Sequence, residues 1–206
     1  MYRKLRLLAL SALYEFPPTR KWAYKRLPRH RSGYKKHWID EMGRGQRDTL
    51  KERQSVTLQR FFPTPEGLHR QVAAYEPESV LDIGCGYGRF LEDMTKHFNI
   101  QGCDVADDLL QQVRPDLRDK VFQLDLVNPP AGWIEEHKDA WDVSYAWAVF
   151  MYFIDDKESM ERAMRHADQI TKKKVIVWDW KHVCDYMRQT YPSDKFEYHH
   201  IPLIMG

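Results

Sequence analysis

Residues 80–91 carry the strongest structural signal in this sequence and run Val80-Leu81-Asp82-Ile83-Gly84-Cys85-Gly86-Tyr87-Gly88-Arg89-Phe90-Leu91. The first four residues form a short apolar and β-branched run that is typical of a buried strand. Three glycines at alternate positions follow, and helical spacing begins at Arg89. The pattern predicts a strand, a glycine loop and a helix, with Gly84 and Gly86 leaving space for a ligand to approach the backbone.

Strand and helix patterns alternate along the rest of the chain. The predicted strands are residues 80–83, 98–104, 121–124, 142–149, 175–180 and 196–204, and the predicted helices are 66–75, 89–97, 107–114, 157–170 and 182–191. This alternation indicates right-handed crossovers between parallel strands. We therefore expect an α/β fold with three layers, in which helices cover both faces of a mostly parallel, Rossmann-like sheet.

The spacing of the glycines separates this loop from a dinucleotide-binding loop. A dinucleotide fingerprint has the form G-x-G-x-x-G, whereas Arg89 stands here at the position of its third glycine. In addition, Asp82 lies two residues before the first glycine. This acid-x-G-x-G-x-G pattern resembles the first motif of class I methyltransferases, which use S-adenosylmethionine.

The resemblance extends over residues 66–181 and implies S-adenosylmethionine as the cofactor. Asp104 ends the second strand, where an acid accepts hydrogen bonds from the ribose hydroxyls. Asp125 follows the third strand, where the family acid accepts from the adenine amino group, and residues 141–147 resemble the strand that faces the transferred methyl group. The implied cofactor-binding residues are Asp82, Gly84, Cys85, Gly86, Gly88, Asp104, Val105, Asp125, Leu126 and Ala146.

Each of these residues also has a purely structural interpretation. The glycines can be simple turn formers, and Asp104 can cap a helix that begins near Asp107. Asp82 can shape the loop, or it can hold the amino end of the cofactor through water. Cys85 and Cys103 are more typical of packing residues than of nucleophiles.

The acceptor side carries weaker signals. The candidate substrate-binding residues are Tyr34, Trp38, Trp147 and Tyr152. A general base is needed only when the acceptor is a neutral hydroxyl or a protonated amine, so no catalytic residue is assigned. The residues that can face the mouth of the pocket, and so act as a base, are Tyr34, His37, Tyr152 and His182.

Two short motifs invite other functional assignments. Asn128-Pro129-Pro130 is similar to a motif of amino-group methyltransferases, but it follows the third strand instead of the fourth, so we predict an ordinary loop. His199 and His200 are adjacent on a predicted strand, so their side chains point to opposite faces of the sheet. The histidines show no H-x-x-x-H spacing, and no metal site is predicted.

Charge divides the chain into two parts. Residues 1–60 contain 16 Lys and Arg against five Asp and Glu, a net charge of +11, whereas residues 61–206 carry −9. We predict a basic, helical N-terminal arm or lid over residues 1–60, and an S-adenosylmethionine-binding methyltransferase domain over 61–206. Such an arm attracts anions, including nucleic acid, lipid head groups and phosphorylated substrates, or it neutralises the acidic domain. Part of residues 20–60 is expected to cover the cofactor pocket.

Three functions are compatible with these observations. The first is methyl transfer to a small-molecule acceptor, and the positive charge of residues 1–60 favours an anionic one. The second is methylation of RNA or another nucleic acid gripped by the arm, and the third is cofactor or partner binding without catalysis. No apolar run approaches the ~20 residues that span a bilayer, so no transmembrane segment is expected. The three cysteines form no disulfide or metal pattern, so a cytoplasmic protein is expected. The oligomeric state is left open.

One departure from the family pattern concerns the end of the sheet. Class I methyltransferases usually finish with an antiparallel strand pair after the fifth strand. Here only one further strand, residues 196–204, is predicted. This departure bears on the acceptor pocket more than on the cofactor site.

Overall fold

A parallel sheet organises the part of the chain that the computed structural model describes, residues 65–201. Its six strands lie in the order β3-β2-β1-β4-β5-β6, and every neighbouring pair is parallel. The strands are β1 Val80–Ile83, β2 Ile100–Asp104, β3 Val121–Gln123, β4 Trp141–Trp147, β5 Thr171–Asp179 and β6 Phe196–His200. Each strand therefore ends at the same edge of the sheet, where ligands bind in open α/β folds.

Helices connect the strands and cover both faces. The α-helices are α1 Pro65–Ala73, α2 Leu91–Met94, α3 Asp107–Leu110, α4 Trp133–Glu136, α5 Lys157–Ile170 and α6 Lys181–Thr190. Two 3-10 helices, Pro115–Lys120 and Phe150–Phe153, complete the connections. The architecture confirms the predicted α/β fold with three layers. The predicted arm, residues 1–60, lies outside the described residues.

Two hydrophobic clusters fill the layers on either side of the sheet. All four residues of β1 are buried, because the strand packs under helices on both faces. One cluster joins α1 and α2 to one face, through residues such as Leu68 and Phe90. The other joins α5 and α6 to the opposite face. In α5 the buried stripe is Met160, Ala163, Met164, Ala167 and Ile170, which lie along one face of the helix as in an amphipathic helix that packs on a sheet.

The helices near the glycine loop are shorter than the sequence predicts. The segment predicted as helix over residues 89–97 forms an α-helix only at Leu91–Met94, and the segment 107–114 only at Asp107–Leu110. Pro115 opens a 3-10 helix immediately after the second of these. These short segments therefore pack as single turns, and the helical periodicity of their sequence overstated their length.

All the strands except β1 also differ from their predicted bounds, and the largest change at a strand start is in β5. β5 begins at Thr171, four residues before the prediction, because Lys172 and Lys173 are exposed and pair with Asp142 instead of breaking the strand. β6 pairs in parallel with β5, from Val175–Phe196 to Asp179–His200. Within residues 65–201 no antiparallel pair closes the sheet. No helix in this range is long and apolar enough to cross a membrane.

Candidate active site

The glycine loop follows β1 at the carboxyl edge of the sheet. Gly84, Gly86 and Gly88 have φ angles of 73°, 56° and 79°, which lie in the left-handed region that glycine adopts without a steric penalty. The backbone N–H groups of Gly84 and Cys85 both donate to the carbonyl of Cys103, at 2.8 and 3.0 Å. The loop is thereby attached to the end of β2 and cannot relax into a longer helix.

Space around the glycines distinguishes their roles. A Cβ atom added at Gly84 would lie 2.4 Å from Cγ2 of Val149, so this position is closed by the protein itself. Among the described residues, a Cβ at Gly86 would meet only Leu109, at 3.9 Å, which is an ordinary van der Waals contact, so this position has room for an added atom. The sequence predicted that both glycines leave room for a ligand. Only Gly86 does so, because the segment after β4 packs against Gly84.

Asp104 lies directly against this loop. One carboxylate oxygen accepts a hydrogen bond from the N–H of Gly86 at 2.9 Å, and the other accepts from the N–H of Ala106 at 2.8 Å. Burial raises the pKa of Asp104, and the backbone donors partly oppose that rise. Asp104 is not the N-cap residue of α3: that position is Ala106, which has no capping side chain and whose own N–H is the one that Asp104 binds. The carboxylate therefore belongs to the glycine loop.

Asp82 is buried inside the sheet, with 1% of its surface exposed. Its register partner on β4 is Tyr145, which is also buried. Among the described residues, neither Oδ2 of Asp82 nor the Tyr145 hydroxyl meets hydrogen-bond geometry with a partner. Burial raises the pKa of Asp82 to about 8; the nearby Tyr145 hydroxyl lowers it and the Asp104 charge raises it further. Asp82 thus lies in the core two residues before the glycine loop, and a contact to the cofactor stays a prediction.

Asp125 follows β3 and shapes the next turn at the same edge. Its Oδ1 accepts from the backbone N–H groups of Val127 and Asn128, at 3.0 and 3.3 Å. Leu126 is buried, and the side chain of Val105 is partly exposed beside the end of β2. Asn128 lies in a loop, as predicted. The structure therefore brings Asp125, Leu126 and Val105 to the strand ends next to the glycine loop.

The end of β4 contributes aromatic side chains. Ala146 is fully buried, and Trp147 is half-buried and stacks on Trp178 of β5, with ring centroids 5.9 Å apart. His199 of β6 continues this stack at 4.5 Å from Trp178, whereas its neighbour His200 is exposed. The two histidines occupy opposite faces, as the sequence predicts. Trp147 therefore starts an aromatic row across three strand ends.

Two of the four predicted base candidates belong to the described residues. Tyr152 is half-buried in the 3-10 helix after β4. His182 is the second residue of α6, and burial lowers its pKa to about 4, so its imidazole is neutral at neutral pH. Tyr34 and His37 lie outside the described residues, as does the substrate candidate Trp38.

Sequence reasoning missed Asp179 and the segment it contacts. Asp179 ends β5 and is fully buried, and its carboxylate accepts from the N–H groups of Met151 at 3.0 Å and Trp180 at 2.8 Å. Burial raises the pKa of this carboxyl to about 7, against the opposing effect of these backbone donors. The available signal was the same one that identified Asp104, namely an acid at the end of a β-branched run.

Over the described range, no group of three or more His, Cys, Asp or Glu side chains is placed to hold a metal ion. Cys85, Cys103 and Cys184 are buried free thiols, and burial raises the pKa of each. These cysteines therefore pack in the core, as predicted.

Known proteins that resemble this chain include methyltransferases. The family model described as "Methyltransferase domain" matches residues 80–174, and no curated protein matches the chain significantly. The sugar N-methyltransferase KedS8 from a Streptoalloteichus species is 20% identical, with a TM-score of 0.52, over 65% of this chain and 53% of that one. DesVI from Streptomyces venezuelae is 23% identical, with a TM-score of 0.48, over 56% and 49%.

The structures just named are longer than the matched region. This chain spans about half the length of each. Because the two sequences are only 20% identical, the likeness to KedS8 concerns the fold alone. Together, the family match over residues 80–174, the parallel sheet and the glycine loop at its carboxyl edge confirm the resemblance to class I, S-adenosylmethionine-dependent methyltransferases.

Proposed function

We propose that this chain binds S-adenosylmethionine at the glycine loop and transfers its methyl group to a small-molecule acceptor. The observation that carries the proposal is Gly86, where the described residues leave room beside a left-handed backbone whose N–H is held by Asp104. The cofactor of this family needs such a surface, because part of it must lie directly against the backbone of the glycine loop.

The residues around the loop fit the cofactor by their chemistry. Asp104 is an acceptor for ribose hydroxyls, since each carboxylate oxygen has lone pairs beyond the one that its backbone donor uses. Asp125 and Leu126 are assigned to the adenine ring, and Val105 and Ala146 to apolar contacts beside it. Gly84, Cys85 and Gly88 hold the shape of the loop, and Asp82 supports it from the core.

The chemistry sets modest demands on the protein. The bound cofactor supplies an activated methyl group on a sulfonium centre, and the chain aligns the acceptor and excludes water. Trp147 and Tyr152 are assigned to the acceptor because they lie at and after the end of β4. His182 stays a candidate base at the start of α6, and its lowered pKa of about 4 keeps the imidazole neutral at neutral pH.

The acceptor proposed is small and anionic, because the basic residues 1–60 favour negative partners. KedS8, which shares the fold, is a sugar N-methyltransferase, so a methyl-transfer screen should include amino sugars beside phosphorylated and carboxylated compounds. The alternative acceptor is RNA or other nucleic acid. RNA binding that is tight at low salt and falls steeply with added salt would favour that alternative. Cofactor binding with no transfer to any acceptor would favour the non-catalytic function.

The cofactor assignment is tested with Asp104→Ala. Loss of hydrogen bonds to an ionised acceptor costs about 1.5–3 kcal/mol, which corresponds to a cofactor Kd at least about tenfold weaker. Isothermal titration with S-adenosylmethionine and its demethylated product measures the change. Asp108→Ala is the control, because Asp108 is an exposed acid on the neighbouring helix α3. A Kd that is the same in both variants and the wild type would exclude Asp104 from the site.

A further inference from the structure

The segment that follows β4 has an unfavourable backbone conformation at its first residue. Ala148 has a φ of 51°, a left-handed value that is unfavourable for a non-glycine residue. Its N–H donates to the carbonyl of Trp178 on β5, at 2.7 Å. The chain turns sharply here and enters the 3-10 helix Phe150–Phe153. Surrounding contacts must hold this turn in place.

Asp179 supplies the strongest of those contacts. Its fully buried carboxylate accepts from the N–H of Met151, inside the 3-10 helix, and from the N–H of Trp180. The indole N–H of Trp180 in turn donates to the sulfur of Met151, at 3.2 Å. Asp179 and Trp180 therefore both hydrogen-bond to Met151 of the segment. Buried hydrogen bonds to a carboxylate are among the stronger ones in proteins.

The other side of the segment touches the glycine loop. Val149 lies between Ala148 and the 3-10 helix, and its Cγ2 lies 2.4 Å from the place where a Cβ of Gly84 would be. A continuous set of contacts thus runs from the Asp179 carboxylate, through residues 148–153, to the first glycine of the loop.

We propose that Asp179 is a positioning residue for the cofactor site. It holds residues 148–153 against Gly84, and the segment in turn keeps the loop in the conformation that presents Gly86. This inference rests on the proposed cofactor site for its functional consequence. Asp179 itself is fully buried and acts through the segment, so it touches neither cofactor nor acceptor.

The test uses the full chain with Asp179→Asn and a matched control, Asp142→Asn. Asparagine keeps the side-chain size, but its NH2 group faces a backbone donor where an oxygen now accepts. Asp142 is also buried and accepts a backbone N–H, from Glu78 at 2.7 Å, but it lies at the amino end of β4, on the opposite edge of the sheet. The control therefore weakens a hydrogen bond between a buried carboxylate and a backbone N–H, but far from residues 148–153.

Two measurements are made on each variant, namely hydrogen exchange of residues 148–153 and the Kd for S-adenosylmethionine. We expect exchange of the Met151 amide to be about tenfold faster and the Kd about five- to tenfold weaker in Asp179→Asn, with Asp142→Asn like the wild type in both. Equal exchange in all three proteins, or an unchanged Kd despite faster exchange, would overturn the proposal.

Two further results are covered by the same design. If Asp179→Asn does not fold, Met151→Pro removes the same hydrogen bond from the segment side, and proline is tolerated in the first turn of a helix. Unchanged cofactor binding by that variant would overturn the proposal. If the wild type does not bind the cofactor, the proposed function fails, whereas the exchange measurement still decides whether Asp179 holds the segment.

Discussion

At the scale of single residues, the two glycines of the loop have different reasons to be glycine. Gly84 lacks a side chain because Val149 occupies the space, and Val149 is β-branched and cannot easily rotate away. Gly86 lacks one because the space in front of it is needed by the cofactor in the proposed site. Both have left-handed φ angles, so alanine at either position carries a backbone penalty of about 1 kcal/mol.

This difference predicts the effect of alanine on stability. We expect Gly84→Ala to lower the free energy of unfolding by about 2–4 kcal/mol, because overpacking adds to the backbone penalty, and Gly86→Ala to lower it by only about 1 kcal/mol. Val149→Ala in the Gly84→Ala background should restore part of the loss. Urea unfolding of the ligand-free single and double variants measures each term. Equal losses at the two glycines, or no coupling with Val149, would contradict the assigned contact.

At the scale of elements, β1 and β4 are joined by an unusual polar pair. Asp82 and Tyr145 are register partners that place a carboxyl and a phenol in an otherwise apolar layer, with Asp104 and Cys85 as the nearest other titratable groups. Because burial raises the pKa of Asp82 from 3.8 to about 8, the folded state binds this proton more tightly than the unfolded state. The strand pair therefore favours the neutral carboxyl.

The consequence is a pH dependence of stability with a definite sign. The contribution of Asp82 is fully present below about pH 4 and is lost as the pH rises through about 8, a decrease on the order of 2–5 kcal/mol at most. Asparagine at position 82 cannot ionise. The free energy of unfolding of Asp82→Asn should therefore rise relative to that of the wild type between pH 5 and pH 8. Urea unfolding at several pH values checks this. A constant difference between the two proteins would show that Asp82 does not titrate in this range.

At the scale of the whole molecule, charge separates the chain into a basic N-terminal part and an acidic remainder. Residues 20–60 are predicted to cover the cofactor pocket, since methyl transfer benefits from the exclusion of water. If they do, bound cofactor should slow tryptic cleavage after the lysines and arginines of this segment by several-fold. Limited proteolysis with and without S-adenosylmethionine measures the rates. Cleavage in the acidic domain is the internal control, and equal rates in the segment would contradict the lid.

Much of the α/β architecture could be predicted because its signals are local. The buried run of β1, the apolar stripe of α5 and the left-handed glycines all express backbone and side-chain periodicity over a few residues. The acids at the ends of β2 and β3 followed from the same reasoning, because parallel strands end at one edge of the sheet. Their roles toward the cofactor came from the resemblance to a family, and remain proposals.

Contacts between distant residues were beyond the sequence pattern. Val149 closes the space at Gly84, Asp179 holds Met151, and β6 joins β5 in parallel, and each of these depends on how separate elements pack. Periodicity records which face of an element is apolar, but it does not record which side chain fills the space beside a given glycine or which N–H a buried carboxylate meets. Those pairings are selected by close packing and by the need to satisfy buried polar groups, which exist only once the sheet is assembled.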